Sequence, residues 1–276
     1  MDLGLTGKTA IVTGGSGVIG QGLVLGYAAE GANVVCADRD VVKAAQLEQI
    51  AREQGLPGRV LAVGTDVTDR SSIDRMMQAC REQFGPVDIL VNNAGGARGP
   101  VQFAELDDEA LEWELALNVK GVVHSCQAAA SDFKERGGVI VNISSTGGHS
   151  PGSAIAFSNY ASAKGYVLVL TKALASEWAD WGVRVNAICP GLIVPESPDV
   201  VGEGSLWCRF GLDTLVTPEK LRAARDQAAP ASMPNQPIKR YGRPDDIANL
   251  ALFLSSDKAG YLTGQMLSVS GGGWMP

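Results

Sequence analysis

The sequence is short of basic, histidine and aromatic residues. Lysine and arginine total 23 against 30 acidic residues, which gives a formal net charge of −7, and aromatic residues make up 6% of the 276 positions. Nucleic acids and anionic membranes attract basic surfaces, and the chain has no run of basic residues. We therefore expect neither kind of partner.

The sequence also lacks the cysteine and histidine patterns that are typical of disulfides and metal sites. The chain has two histidines and an odd number of cysteines without metal-type spacing: Cys36, Cys80, Cys126, Cys189 and Cys208. This pattern favours reduced thiols in a core over disulfides, and it predicts no metal site.

Patterns for export and for membrane insertion are missing as well. The N-terminus lacks the charged and then apolar order of a signal peptide, and no apolar run approaches the ~20 residues of a membrane span. We expect a cytoplasmic protein.

The residues that are present indicate one α/β domain. Hydrophobic residues make up 45% of the chain and charged residues 19%, as in ordinary globular proteins. Strand-like and helix-like segments alternate, which predicts a Rossmann-type, doubly wound parallel sheet of about seven strands with helices on both faces. The predicted strands cover 9–12, 33–37, 59–64, 88–91, 139–143, 184–188 and 265–269, and the predicted helices 20–30, 71–84, 107–136, 160–181 and 244–255.

A glycine-rich turn connects the first predicted strand to the first predicted helix. It reads Thr13-Gly14-Gly15-Ser16-Gly17-Val18-Ile19-Gly20. Such a turn exposes backbone N–H groups at a helix N-terminus, where the helix dipole favours a pyrophosphate. Asp38 ends the second strand eighteen residues after Gly20, near the expected position of an acid that binds ribose. The pattern predicts a dinucleotide-binding domain, and we assign it the whole chain, 1–276.

A tyrosine and a lysine lie four residues apart in the predicted helix 160–181. Tyr160 and Lys164 would project from one face, and a buried cation beside a phenol lowers the phenol's pKa from its usual value of ~10. Such a pair by itself is more often a surface pair. Two further motifs give it context: Asn92-Asn93-Ala94-Gly95 after the fourth strand and Ser144-Ser145 after the fifth.

Together and in this order, the motifs resemble those of the classical short-chain dehydrogenase/reductase family. The resemblance covers nearly the whole chain, from Gly7-Lys8-Thr9-Ala10 to Tyr261-Leu262-Thr263-Gly264-Gln265. It implies an NAD-dependent oxidoreductase that interconverts a secondary alcohol and a ketone by hydride transfer, with a small-molecule substrate.

The resemblance also implies roles for four residues. Tyr160 would be the general acid/base, and Lys164 would lower its pKa and hold the nicotinamide ribose. Ser145 would bind the substrate oxygen, with Ser144 as the alternative. Asn118, at a kink in the helix 107–136, would keep a proton-relay water in place.

The cofactor residues follow from the same resemblance. NAD(H) would contact Gly14, Ser16, Gly17, Val18, Ile19, Gly20, Asp38, Arg39, Asp66, Val67, Asn93, Ala94, Gly95, Tyr160, Lys164, Pro190, Gly191 and Ile193. NAD is expected over NADP because Asp38 repels a 2′-phosphate, although Arg39 could bind one. Two positions depart from the family pattern: Val18 replaces a glycine and Pro195 replaces a threonine that would bind the carboxamide.

The segment 192–237 contains a long stretch, 196–237, that is rich in proline and without clear periodicity apart from one predicted helix over 218–228. We predict that it is the substrate lid. With the loop before Tyr160 it offers apolar walls, which favour an uncharged secondary alcohol or ketone. The candidate substrate residues are Ser145, His149, Phe157, Trp207 and Phe210, and of these His149 is more typical of a solvated loop residue.

Other interpretations remain open. The order Thr-Gly-x-x-Gly-x-x-Gly resembles the family's extended branch of sugar-nucleotide epimerases and dehydratases. A dinucleotide-sensing regulator without catalysis is a second alternative. Apolar residues on two long helices further suggest a homotetramer: Leu111, Leu115, Val122, Val167, Leu170 and Leu174.

Overall fold

A seven-stranded sheet forms the centre of the molecule, in a computed structural model that describes residues 2–150, 157–195 and 236–275. All pairings are parallel and the strand order is β3-β2-β1-β4-β5-β6-β7. The strands are β1 Thr9–Thr13, β2 Asn33–Asp38, β3 Val60–Gly64, β4 Ile89–Asn92, β5 Gly138–Ile143, β6 Val183–Pro190 and β7 Met266–Val269. Because they are parallel, their carboxyl ends lie along one edge of the sheet.

Helices cover both faces of this sheet. They are α1 Val18–Ala29, α2 Val41–Glu53, α3 Arg70–Phe84, α4 Asp108–Leu115, α5 Gly121–Arg136, α6 Thr146–His149, α7 Ser158–Glu177 and α8 Pro244–Ser255. Short 3₁₀ turns occupy Phe103–Glu105, Ala179–Trp181 and Asp257–Ala259. One core cluster contains residues of α1, α2 and α8, and the other contains residues of α3, α5 and α7.

Side chains alternate between these two clusters along each central strand. In β1, Ala10 and Val12 belong to the first cluster, whereas Ile11 belongs to the second. A strand buried on both faces needs apolar residues at every position, which explains why these segments read as continuous apolar runs. The predicted fold class is confirmed.

The boundaries differ from the sequence prediction in a few places. Helix α2 was not assigned individually, and the predicted helix 107–136 is interrupted by one turn of π-helix over Ala116–Lys120. Helix α7 ends at Glu177, because a 3₁₀ turn replaces its predicted last residues. Most of the predicted lid, together with the helix proposed over 218–228, lies outside the described residues.

The apolar residues from which a tetramer was predicted are partly internal. Val122, Val167 and Leu174 are buried in the second core cluster of their own chain. They cannot also form a contact between subunits, so that part of the argument is wrong. The exposed apolar residues of α7 are instead Tyr166 and Val169.

Neither a membrane span nor a metal site is found among the described residues. None of the helices there has the length and apolarity to cross a membrane. Among the same residues, no group of three or more His, Cys, Asp or Glu side chains is arranged to hold a metal ion.

Candidate active site

Motifs that are far apart in the sequence lie together at the carboxyl edge of the sheet. Strands β1, β2, β4, β5 and β6 end there, and they deliver the glycine turn, Asp38, Asn93, the two serines and Pro190. Helix α7 brings Tyr160 and Lys164 to the end of β5.

The glycine turn is compact, and at Gly14 and Gly20 an added Cβ would run into backbone atoms. Gly14 has φ +61°, and a Cβ there would lie 2.8 Å from the Ala94 Cα atom. At Gly20 a Cβ would lie 2.1 Å from the Gly14 carbonyl oxygen. Gly17 is not crowded in this way, since its Cβ would come no closer than 3.3 Å to the Gly14 oxygen.

Helix α1 begins directly after this turn, at Val18. Its N-cap residue Gly17 makes no side-chain capping bond, and the first turn contains no acidic residue. The side chain of Val18 packs against the first core cluster, so a valine is accommodated where the family pattern has glycine. A helix N-terminus with exposed N–H groups and no competing carboxylate fits the pyrophosphate of a dinucleotide.

Asp38, at the end of β2, accepts hydrogen bonds that stabilise the glycine turn. Its Oδ2 atom accepts a hydrogen bond from the Ser16 N–H at 2.9 Å, and its Oδ1 atom accepts one from the Asp40 N–H at 3.0 Å. Arg39 is exposed beside it. A carboxylate oxygen can accept two hydrogen bonds, so this bracing is compatible with binding of a ribose hydroxyl.

The Asn92–Gly95 motif is tied to the glycine turn. The amide of Asn93 donates to the backbone oxygens of Thr13 and Gly14, at 2.9 Å each. The Thr13 hydroxyl accepts from the backbone N–H groups of Asn93 and Ala94. These four bonds hold the two loops together as one surface.

Asp66 and Val67 follow β3 on the same edge. The Asp66 Oδ1 atom accepts hydrogen bonds from the backbone and hydroxyl of Thr68, which fixes the carboxylate in a tight turn. The side chain of Val67 is buried against Gly121, so only its backbone can serve a cofactor.

Asn118 lies inside the π-helical turn and is fully buried. Its side chain accepts a hydrogen bond from the Gly96 N–H at 3.0 Å and donates to the oxygens of Gly96 and Glu114, at 2.8 and 2.9 Å. The amide thus compensates for the interrupted helix and anchors the loop after β4. A turn of π-helix occupies the position where a kink was predicted, and these hydrogen bonds stabilise it.

The two serines after β5 face different partners. The Ser144 hydroxyl is buried and donates to the backbone oxygen of Lys164 at 2.9 Å. Ser145 begins the short helix α6, accepts from the Gly147 N–H at 3.1 Å and shares a hydrogen bond with Tyr160. The geometry brings Ser145, and not Ser144, to the tyrosine.

Lys164 is buried below Gly95. Its Nζ atom donates to the Ile143 oxygen at 2.9 Å and lies 5.8 Å from the centre of the Tyr160 ring. A Cβ on Gly95 would lie 2.8 Å from that Nζ atom and 2.9 Å from the Asn118 Oδ1 atom. Burial lowers the pKa of Lys164 to about 8.

The pKa of Tyr160 differs from the sequence expectation. Burial raises the pKa of Tyr160 to about 12; the hydrogen bond with Ser145 opposes this rise, and the Glu114 carboxylate adds to it. The expectation that Lys164 brings the phenol near neutrality is wrong for this arrangement. The ammonium lies beside the ring and bonds to Ile143, while the phenol is desolvated.

The segment after β6 carries the remaining cofactor candidates. Gly191 donates to the Val269 oxygen, and a parallel bridge joins Ile193 to Gly242. That bridge uses the Val194 N–H and the Leu192 carbonyl. The backbone groups of Ile193 therefore point to the opposite side, which suits a carboxamide contact. Pro195 is buried.

The predicted substrate residues are only partly described. Phe157 lies beside Tyr160 in an open pocket, which is also lined by Val101, Phe103 and Leu106. His149 stacks on Trp274, with ring centres 4.4 Å apart, instead of being a solvated loop residue. Trp207 and Phe210 lie outside the described residues.

Comparisons with known proteins agree with this geometry. Residues 8–202 match the family model described as short chain dehydrogenase, and residues 213–273 match one described as enoyl-(acyl carrier protein) reductase. The chain belongs to the short-chain dehydrogenase family. It is an oxidoreductase of that family, whose members bind a nicotinamide dinucleotide.

The names of individual relatives of this short-chain dehydrogenase refer to different substrates. It is 34% identical to the 3-oxoacyl-[acyl-carrier-protein] reductase FabG of Thermotoga maritima, over 97% of this chain and 98% of the other. It is 33% identical to 3beta-hydroxysteroid dehydrogenase 2 of Eggerthella lenta, over 97% and 95%. A structure of 3-ketoacyl-(acyl-carrier-protein) reductase from Brucella melitensis, complexed with NADH, superposes with a TM-score of 0.80 at 31% identity, over 98% and 100%.

Sequence reasoning missed one residue of this short-chain dehydrogenase site. Glu114 is only 4% exposed and binds both the loop after β4 and Asn159, next to Tyr160. Its spacing from Asn118 was the available signal, since residues four apart share a helix face. A buried Asn118 places Glu114 on the buried side as well.

Proposed function

We propose that this chain is an NAD-dependent oxidoreductase that interconverts a secondary alcohol and a ketone, with Tyr160 as general acid/base. The observation that carries the proposal is the convergence of Tyr160, Ser145, Lys164 and Asn118 on one edge of the sheet, beside the glycine turn. The bound nicotinamide would supply or accept the hydride.

In the direction of reduction, Tyr160 donates its phenolic proton to the carbonyl oxygen. Ser145 is held for its part because its oxygen accepts from the Gly147 N–H and its hydroxyl lies within hydrogen-bond distance of Tyr160, where the reacting oxygen would bind. A donor aimed at developing negative charge stabilises the transition state. In oxidation the same groups work in reverse.

Lys164 acts on the phenolate that proton transfer leaves behind. A buried ammonium near the ring favours the charged form, and the bond to Ile143 holds it in place. Asn118 maintains the π-helical turn next to Lys164 and the loop that contains Gly95. This arrangement supports a rigid proton-transfer site.

One side of the pocket beside Tyr160 is apolar, and this side supports an uncharged substrate. It is formed by Val101, Phe103, Leu106 and Phe157, while the rest of the lining includes Glu114, Ser158 and Asn159, and an apolar wall suits a ring or an acyl chain. We therefore propose secondary alcohols or ketones of moderate size over small hydroxy acids.

A panel of secondary alcohols with NAD, followed by the absorbance of the reduced cofactor, tests the proposal. Tyr160→Phe should lower turnover by about 10² to 10⁴-fold while NAD binding survives, because it removes only the transferable proton. Tyr166→Phe, an exposed tyrosine of the same helix, is the matched control and should keep full activity.

Three outcomes would contradict the proposal. Near-full activity of Tyr160→Phe at every pH would remove the role of the tyrosine. Binding of NAD without turnover on any alcohol or ketone would favour a dinucleotide sensor. Turnover of nucleotide sugars without net change in the cofactor would favour an epimerase.

A further inference from the structure

A buried carboxylate lies next to the proposed proton-transfer site. Glu114 belongs to α4, one helical turn before Asn118, and is 4% exposed. Buried carboxylates are rare unless hydrogen bonds compensate for the loss of water. The partners of Glu114 therefore indicate what the residue does.

Those partners come from three segments of the site. Its Oε1 atom accepts from the Arg98 N–H at 2.8 Å, in the loop that follows Gly95. Its Oε2 atom accepts from the amide of Asn159 at 2.8 Å, and its backbone oxygen accepts from the amide of Asn118. Glu114 thus connects the cofactor loop, the π-helical turn and the first turn of α7.

The bond to Asn159 matters most, because Asn159 directly precedes Tyr160. It lies in the first turn of α7, where the helix begins at Ser158. The carboxylate also borders the same open pocket as the phenol, among Val101, Phe103 and Leu106. The charge of a carboxylate that is 4% exposed is poorly screened, so it acts on the phenol more strongly than it would in water.

We propose that Glu114 is a positioning residue for Tyr160, which fixes the start of α7 through Asn159 and disfavours the phenolate through its negative charge. This inference rests on the proposed role of Tyr160 and deepens it. The charge favours the protonated form of Tyr160, which is the form that donates a proton to a ketone.

Other charged and titratable groups lie on the elements that surround the start of α7. On α7, Lys164 carries the opposing charge and bonds to Ile143. In the loop after β4, Arg98 pairs its guanidinium with Glu109 of α4. On β6, burial raises the pKa of the Cys189 thiol to about 12, and on α6 burial lowers the pKa of His149, so the imidazole is neutral at alkaline pH while the thiol ionises in the same range as Tyr160.

Glu114 also contributes to the raised pKa of Tyr160, after burial, which is the larger cause. A negative charge near a phenol disfavours its ionised form, so removal of that charge lowers the phenol's pKa. Removal of the Glu114 charge should therefore lower the pKa of Tyr160.

Two substitutions with opposite expected effects test the inference. Glu114→Gln keeps the shape and a hydrogen-bond acceptor but removes the charge, and it should move the pH midpoint for alcohol oxidation down by about one unit. Asn159→Asp places a second carboxylate against Glu114 and should move the midpoint up. Glu112→Gln changes an exposed acid of α4 that pairs with Lys120, and it should leave the midpoint unchanged.

A titration without turnover gives an independent readout. The tyrosinate absorbance of the parent minus that of Tyr160→Phe reports Tyr160 alone, and the same difference in the Glu114→Gln background should show a lower midpoint. If Glu114→Gln does not fold, Asn159→Asp still has to show the upward shift.

Opposite shifts in the two variants support the inference. Unshifted midpoints in both, or a uniform loss of kcat at every pH without any shift, overturn it and leave Glu114 as a scaffold residue. Failure of the proposed function is separate, because it would appear as full activity of Tyr160→Phe whatever Glu114→Gln does.

Discussion

The Ser144 hydroxyl donates a hydrogen bond to the backbone oxygen of Lys164, whereas the next hydroxyl, that of Ser145, bonds with Tyr160. Neighbouring residues after a strand point in opposite directions, so only one of the two can reach the phenol. The other one secures the helix that carries the phenol.

This division predicts different losses for the two serines. Ser145→Ala should lower kcat by about 10²-fold, because it removes a donor to the reacting oxygen. Ser144→Ala should change turnover much less and lower the free energy of unfolding by about 1 kcal/mol, because it breaks a buried hydrogen bond. Steady-state kinetics and urea unfolding measure both. Loss of turnover in Ser144→Ala alone would reverse the assignment.

Lys164 should reduce stability at neutral pH. Its pKa in the folded protein is about 8, below the usual 10.5, so between these values the unfolded chain binds more protons. Stability should therefore rise with pH across this window, and the cost of burying the charge is fully present below pH 8. Lys164→Met removes the charge and should raise the free energy of unfolding at pH 7 by about 1 to 3 kcal/mol, while turnover is lost.

Urea unfolding on either side of that window checks this prediction. The advantage of Lys164→Met should disappear at a pH above 10.5, where the parent lysine is neutral in both states. Lys120→Met is the control, since Lys120 is exposed and should show no pH-dependent gain. A variant Lys164→Met that is less stable than the parent at pH 7 would contradict the argument.

Asp38 should make the enzyme prefer NAD over NADP. Its carboxylate would meet the 2′-phosphate of NADP with like charge, and Arg39 beside it is exposed. Asp38→Asn keeps an acceptor for the Ser16 N–H and should raise the NADP-to-NAD ratio of kcat/KM by about tenfold. Arg39→Ala should lower the remaining activity with NADP. Equal kcat/KM for both cofactors in the parent would show that Arg39 outweighs Asp38.

The exposed face of α7 should form a contact in a homotetramer. Val169 is 69% exposed there and lies near exposed Tyr166, so the apolar surface is present even though Val167 and Leu174 are internal. Val169→Glu should reduce the mass measured by light scattering at micromolar concentration. Val42→Glu alters a valine of α2 that is 67% exposed and should not change the mass. A monomeric parent would rule out the tetramer.

The sequence by itself determined the chain order of the seven strands and of the helices between them, except α2 and α6. Continuous apolar runs mark strands that are buried on both faces, and the glycine turn marks the β1–α1 junction because Gly14 and Gly20 have no room for a Cβ atom. It also placed Ser144 and Ser145 at the edge of the sheet where ligands bind, because parallel strands share their carboxyl ends.

Only the tertiary structure decided how those residues act on one another. The choice between Ser144 and Ser145, the raised pKa of Tyr160 and the contribution of Glu114 depend on burial and on hydrogen bonds between residues that are far apart in the chain. A pattern of residue types reports which groups are present. Desolvation and charge act through distance in space, so only the folded arrangement decides how strongly each group holds its proton.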